Sequence, residues 1–183
     1  EIYSKCIIFD YSYKYFYKDG YGKDYHILNL EDDSNETIRS HYLSAAVLSF
    51  YQQLQLYQQK KEAFKQFLIE KPLWIFVGSK VNAVRKEKSR EVSDVTDIVL
   101  FLTDFINPAK RQQTELIIDL LLKGQSELRD KKGKELFTGK FTFLRKLELT
   151  PSEIYEDMLQ LLFNTKHPAA VHITNLKGTD GEI

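Results

Sequence analysis

The stretch that most limits how this chain can fold is Lys71-Pro72-Leu73-Trp74-Ile75-Phe76-Val77-Gly78. Leu73 to Val77 is an unbroken apolar run of strand length, rich in branched and aromatic side chains, and such a run predicts a strand covered on both faces. Gly78 would end it. The carboxyl ends of strands in open α/β sheets collect ligands, so Gly78, Ser79, Lys80 and Asn82 are expected where a phosphate could be met. An ordinary exit from strand to loop would read the same way.

The rest of the chain supplies helices. After Ser34, a candidate cap, Leu43, Val47, Phe50, Leu54 and Tyr57 recur at spacings of four and three and predict one stripe of a long helix, which Ala63, Phe64, Phe67 and Leu68 continue up to Pro72. Ser93-Asp94 is expected to cap a second helix carrying Val95, Ile98, Val99, Leu102, Phe105 and Ile106 and interrupted at Asn107-Pro108. A third carries Leu116, Ile117, Leu120 and Leu121 and ends at Gly124. Thr150-Pro151-Ser152-Glu153 has the residues of a capping box, with Ile154, Met158, Leu161 and Leu162 on the face behind it and His167-Pro168 as the break. Two basic loops, Lys80 to Arg90 and the glycine-containing Arg129 to Lys140, separate these elements.

Strands are expected at both ends. Ten of the eleven tyrosines precede residue 58, and Tyr11-Ser12-Tyr13-Lys14-Tyr15-Phe16-Tyr17 alternates ahead of Asp19-Gly20, which predicts strands around a turn. Ala169 to Leu176 predicts a further strand. The fold class expected is therefore α/β, a layered sheet with helices, in which residues 1–33 form an aromatic-rich β segment and residues 34–183 the remainder, with a helical insertion at about 83–150. With no methionine before Glu1 and an abrupt stop at Ile183, the chain reads as a piece of something larger.

Composition narrows the chemistry. Basic and acidic residues number 26 each, so no long-range field draws in polyanions and a nucleic-acid site must be a local patch. The single Cys6 cannot form an intramolecular disulfide, which favours a reducing, cytoplasmic compartment, and no apolar run is long enough to span a bilayer. Gly22-Lys23, Gly133-Lys134 and Gly139-Lys140 all lack the following Ser or Thr of a phosphate loop. No Asp-Glu pair and no Glu-x-Lys triplet occurs, and the four histidines show no zinc-ligand spacing. Catalytic and metal residues are expected to be absent.

At Lys71 to Gly78, Ser93-Asp94-Val95-Thr96-Asp97-Ile98-Val99 and Asn175-Leu176-Lys177-Gly178-Thr179-Asp180-Gly181-Glu182-Ile183, with Ile8 to Phe16 and Asp19 to Tyr25 before them, the chain resembles the restriction (Res) subunit of type III restriction-modification enzymes. That family is a superfamily 2 helicase-like translocase. The resemblance lies in sequence texture over most of the chain. It implies a fragment joining the two motor lobes and opening the second RecA-like lobe, with the ATP-binding loop, the magnesium motif, the arginine finger and the nuclease domain elsewhere in the parent. The resemblance also implies ATP and magnesium as parent cofactors, with none in this segment, and a modification (methyltransferase) subunit as partner. Gly78, Ser79, Lys80 and Asn82 would then hold the DNA sugar-phosphate backbone weakly and without reading bases, and the loop from Arg85 would add attraction. The competing expectation is a non-enzymatic docking module that uses the tyrosine-rich first third.

Overall fold

The computed structural model describes residues 9, 11–21, 35–77, 85–87, 90–92 and 94–170. Their architecture is helical, which overturns the expected α/β layered sheet. Six helices, α1 (Tyr13–Lys18), α2 (Glu36–Lys65), α3 (Asp94–Ile106), α4 (Arg111–Lys123), α5 (Thr142–Lys146) and α6 (Pro151–Phe163), account for most of the described residues. The strands among the described residues are β1 (Arg85–Glu87) and β2 (Arg90–Val92), an antiparallel ladder pairing Arg85 with Val92 and Glu87 with Arg90.

Leu73 to Val77 has no strand partner and no backbone hydrogen bond among the described residues. Leu73 is 79%, Ile75 69% and Val77 89% exposed, so the run is not the sandwiched strand that its composition suggests. The physical reason is that an apolar run specifies a need for burial but not the neighbour that supplies it. Trp74 alone packs inward, with its ring 5.6 Å from Phe50 of α2 and 4.3 Å from Phe76. The tyrosine segment also departs from expectation. Tyr13 and Tyr17 lie one helical turn apart with ring centroids at 6.0 Å, and Tyr13 and Phe16 at 6.5 Å, so aromatic pairs along a helix prevail over β-propensity there. The strand expected from Ala169 is unformed at Ala169 and Ala170, and its remainder lies outside the described residues.

Helix ends follow local chemistry. The Asn35 carboxamide oxygen accepts from the Thr37 and Ile38 N–H groups and caps α2, one residue past the expected Ser34, which lies outside the described residues. Asn107 accepts from Ala109 N–H, and Pro108 turns the chain from α3 into α4. Gly124, at φ +69°, ends α4 with its own N–H on Leu121 O and that of Gln125 on Leu120 O, the left-handed stop the sequence indicates. Thr150 and Glu153 make the reciprocal capping box of α6: Thr150 Oγ1 accepts from Glu153 N–H at 3.2 Å and Glu153 Oε2 accepts from Thr150 N–H at 2.8 Å.

α2 crosses the other helices of the body, packing on α3, α4, α5 and α6, while α4 packs on α6. The core joins Val47, Leu48 and Tyr51 of α2, Phe105 and Ile106 of α3, Ile117, Ile118 and Leu121 of α4, and Ile154, Tyr155, Met158 and Leu159 of α6. Leu128, Phe137, Phe141 and Leu144 close one end, and the rings of Phe137 and Phe141 stack at 5.8 Å. The buried stripe of α2 runs Ser44, Ala45, Val47, Leu48, Tyr51, Leu54, so Leu43, Phe50 and Tyr57 of the expected stripe are only half-buried. Beyond Leu54 the helix leaves the core, breaks helical geometry at Lys60 (φ −114°, ψ 17°) and stops at Lys65, short of the expected Pro72. Leu68, at φ +53°, then reverses the chain, which returns so that Trp74 meets Phe50.

Candidate nucleic-acid interface

Of the site residues expected from sequence, Gly78, Ser79, Lys80 and Asn82 lie outside the described residues. Arg85 opens β1 opposite Val92, in a short hairpin and not at the end of a buried strand. The segment leading to Gly78 is exposed and unpaired, so the geometry that was to present these residues from a sheet edge is absent from the described residues.

A different basic element is well defined. Between residues 129 and 146 there are seven basic and two acidic residues, in a chain whose basic and acidic residues number 26 each, so the rest of the chain is net acidic. The element begins as a hairpin in which Arg129 bridges Glu135, Asp130 N–H donates to Lys134 O at 2.9 Å, and Gly133 N–H donates to Asp130 O at 2.8 Å. Leu128 and Phe137 anchor its base in the core, at 0% and 3% exposure, and Leu136 N–H donates to Leu128 O. α5 follows with Arg145 and Lys146 in its last turn. Both acids are occupied. The Asp130 carboxylate accepts the backbone N–H groups of Lys132 and Lys134, and Glu135 accepts the hydroxyl of the fully buried Ser126. The bonds from Lys134 and Lys132 pull the Asp130 carboxyl below its usual range, so it stays ionised at neutral pH.

Lys131, Lys132, Lys134, Arg145 and Lys146 are exposed, and among the described residues none of them makes a direct ion pair, although the charges of Lys132 and Lys134 act on the nearby Asp130 carboxylate. Elsewhere Lys110 pairs with Asp104, Lys123 with Asp119 at 2.6 Å, and Arg111 with Glu115 at 2.7 Å and Glu156 at 2.6 Å, while Lys60, Lys61, Lys65 and Lys71 are exposed like the lysines of the basic element. Sequence reading finds the basic loop from Arg129 to Lys140 but assigns it no site; the bonds of Asp130 to backbone amides and of Glu135 to Ser126 are visible only in three dimensions.

The other polar groups serve the body. Tyr51 Oη donates to Asp157 Oδ2 at 2.5 Å, and Gln55 Nε2 donates to both of those groups. Burial, then Asp157, pushes the Tyr51 phenol well above its usual range. His41 Nδ1 lies 3.1 Å from Ser126 O, and Tyr155 Oη donates to Phe105 O at 2.9 Å. Arg111 reaches the Ser152 hydroxyl while its guanidinium lies 5.8 Å from the centre of the Tyr155 ring. A cleft of about 360 Å³ between α2, α3 and α4 carries both signs of charge, Arg39 and Lys110 beside Asp97 and Asp104, over a floor of Phe101 and Ile117. An apolar groove of about 320 Å³ runs between Tyr42, Phe50, Trp74 and Phe137.

Among the described residues no cluster of three His, Cys, Asp or Glu side chains is placed to hold a metal ion, and no helix is long and apolar enough to cross a membrane. Compared with family models, curated proteins and solved structures, the chain matches none of them.

Proposed function

We propose that this chain is a helical element of an ATP-driven DNA translocase of the type III restriction Res kind, and that it contributes backbone contact to DNA without sequence selection. The observation that carries the reading is the exposed, net basic element between Arg129 and Lys146 on a chain whose remainder is net acidic. Exposed ammonium groups attract phosphate as point charges that carry no base readout. ATP, magnesium and the modification subunit belong to the parent enzyme in this reading, which works in the cytoplasm, and the segment carries no catalytic step. Titration of labelled duplex and single-stranded DNA with the 183-residue chain at low salt is expected to show weak binding that random sequences share. Undetectable binding at 50 mM salt, or ATP hydrolysis by this chain alone, contradicts the proposal.

A second reading is favoured by a separate observation. Leu73, Ile75 and Val77 form an exposed apolar run, and Phe9, Tyr11, Tyr13, Phe16 and Tyr21 form a self-stacked aromatic cluster that is also exposed. Contiguous exposed apolar surface marks protein-docking faces. A non-enzymatic docking module would sediment as a stable assembly that Ile75→Ser with Val77→Ser dissolves, and a concentration-independent monomer speaks against it.

A further inference from the structure

We propose that the turn at residues 129 to 134 is a preformed cradle for the phosphate backbone of nucleic acid, with Asp130 as the positioning residue that fixes the backbone of Lys132 and Lys134 and so the turn that presents Lys131, Lys132 and Lys134. The inference rests on the DNA-contact reading and narrows it to one element. Asp130 Oδ1 accepts Lys132 N–H at 2.8 Å and Lys134 N–H at 2.9 Å, so one carboxylate fixes the backbone on both sides of Gly133. Gly133 sits at φ +76°, where side-chain-bearing residues are strained, with nothing within 4 Å of where a Cβ would stand. Arg129 Nη1 donates to Gly133 O at 3.3 Å and closes the turn from its other side.

The ligand class follows from what the turn offers and what it lacks. Three ammonium groups fall within four residues, and the tip bears no apolar side chain that a protein interface would bury at its centre. A partner with closely repeated anions is matched, and the phosphate backbone supplies one charge for about every 1.7 Å of duplex axis. Holding the turn before contact removes the ordering cost that a floppy lysine loop would meet on binding.

Asp130 makes the inference testable because charge and position predict opposite results. Asp130→Ala removes a negative charge, so simple electrostatics predicts tighter DNA binding. A positioning role predicts weaker binding, with Asp130→Asn, which keeps a side-chain oxygen for the two amides, at or above the unaltered affinity. In fluorescence anisotropy of the full chain with a labelled 20-base-pair duplex between 50 and 200 mM salt, Asp130→Ala is expected to bind several-fold more weakly. The triple change Lys131→Gln, Lys132→Gln, Lys134→Gln is expected to lose most of the roughly 40-fold salt dependence that three phosphate contacts carry over that range. Circular dichroism verifies that each variant keeps the helices. Asp130→Ala binding as tightly as the parent, or more so, overturns the positioning role. An unchanged salt slope in the triple variant overturns the turn as the site while leaving DNA contact to the rest of the chain, whereas no binding by the unaltered chain removes the underlying reading itself. Equal affinity for polyglutamate would assign the turn to an acidic protein and overturn the nucleic-acid inference.

Discussion

Tyr51→Phe tests whether the hydroxyl-carboxylate clasp between α2 and α6 is a net stabiliser. Tyr51 is fully buried, and its hydroxyl donates to Asp157 across the interface at 2.5 Å. The substitution keeps the ring and opens no cavity, so the change isolates one hydrogen bond to a charged acceptor, worth about 1.5 to 3 kcal/mol. Asp157 is half-buried and keeps its bond from Gln55, so water and the carboxamide compensate in part and the expected cost lies at the lower end, about 1.5 kcal/mol. With a urea m-value of about 2 kcal/mol/M, the midpoint should fall by roughly 0.75 M with m unchanged. A cycle with Asp157→Asn should return a coupling of about 1 kcal/mol. Coupling below about 0.3 kcal/mol would show that the two groups stabilise the body independently and would refute the clasp.

The same phenol sets an alkaline limit. Its folded pKa is raised by burial and then by Asp157, while the unfolded value stays near 10. The unfolded chain therefore releases the proton first, the contribution is complete below about pH 10, and stability falls as pH rises beyond it. Urea midpoints measured from pH 8 to 11 should decline above pH 10, and less steeply in Tyr51→Phe. Gly124→Ala should cost about 1 to 2 kcal/mol by thermal melting, because φ is +69° and the added Cβ would lie 3.3 Å from Thr138 Cα. Thr150→Ala should cost about 1 kcal/mol in the same assay by removing the α6 cap, and Thr150→Ser should restore most of it. Glu153 is held below its usual pKa by the Thr150 N–H and hydroxyl, so its part of the capping box is present above about pH 4.5 and fades below it; acid melts should show a weaker decline once Thr150 is Ala.

What the sequence reveals here is mostly punctuation. Asn107-Pro108, Gly124 and Thr150-Pro151-Ser152-Glu153 mark their boundaries because caps are satisfied by residues within a few positions, so the physics is local. Leu73 to Val77 misleads because its partner is a tertiary matter: apolarity is legible, but a neighbouring strand is not. In α2 the helix is legible but the direction it faces is not, since Ser44, Ala45 and Tyr51 form the buried side while Phe50, the more apolar residue, sits at the margin. Leu116 is a similar case, one of the apolar residues on α4 yet 57% exposed. The basic element from Arg129 is legible as charge, whereas the bonds that tie Asp130 to the turn's backbone and Glu135 to Ser126 are not.

The long helix has a mechanical consequence. About 16 Å of α2 extends past Leu54 with no fully buried side chain, stiffened by the stacked rings of Tyr57 and Phe64 and bent at Lys60. It is a cantilever whose root is set in the bundle and whose free end carries the hairpin-like reversal at Leu68. A force applied at that tip is borne by the joint at Lys60 before it reaches the core, so the outer span can be displaced or lengthened while the packed body of α3 to α6 and the first part of α2 keeps its shape.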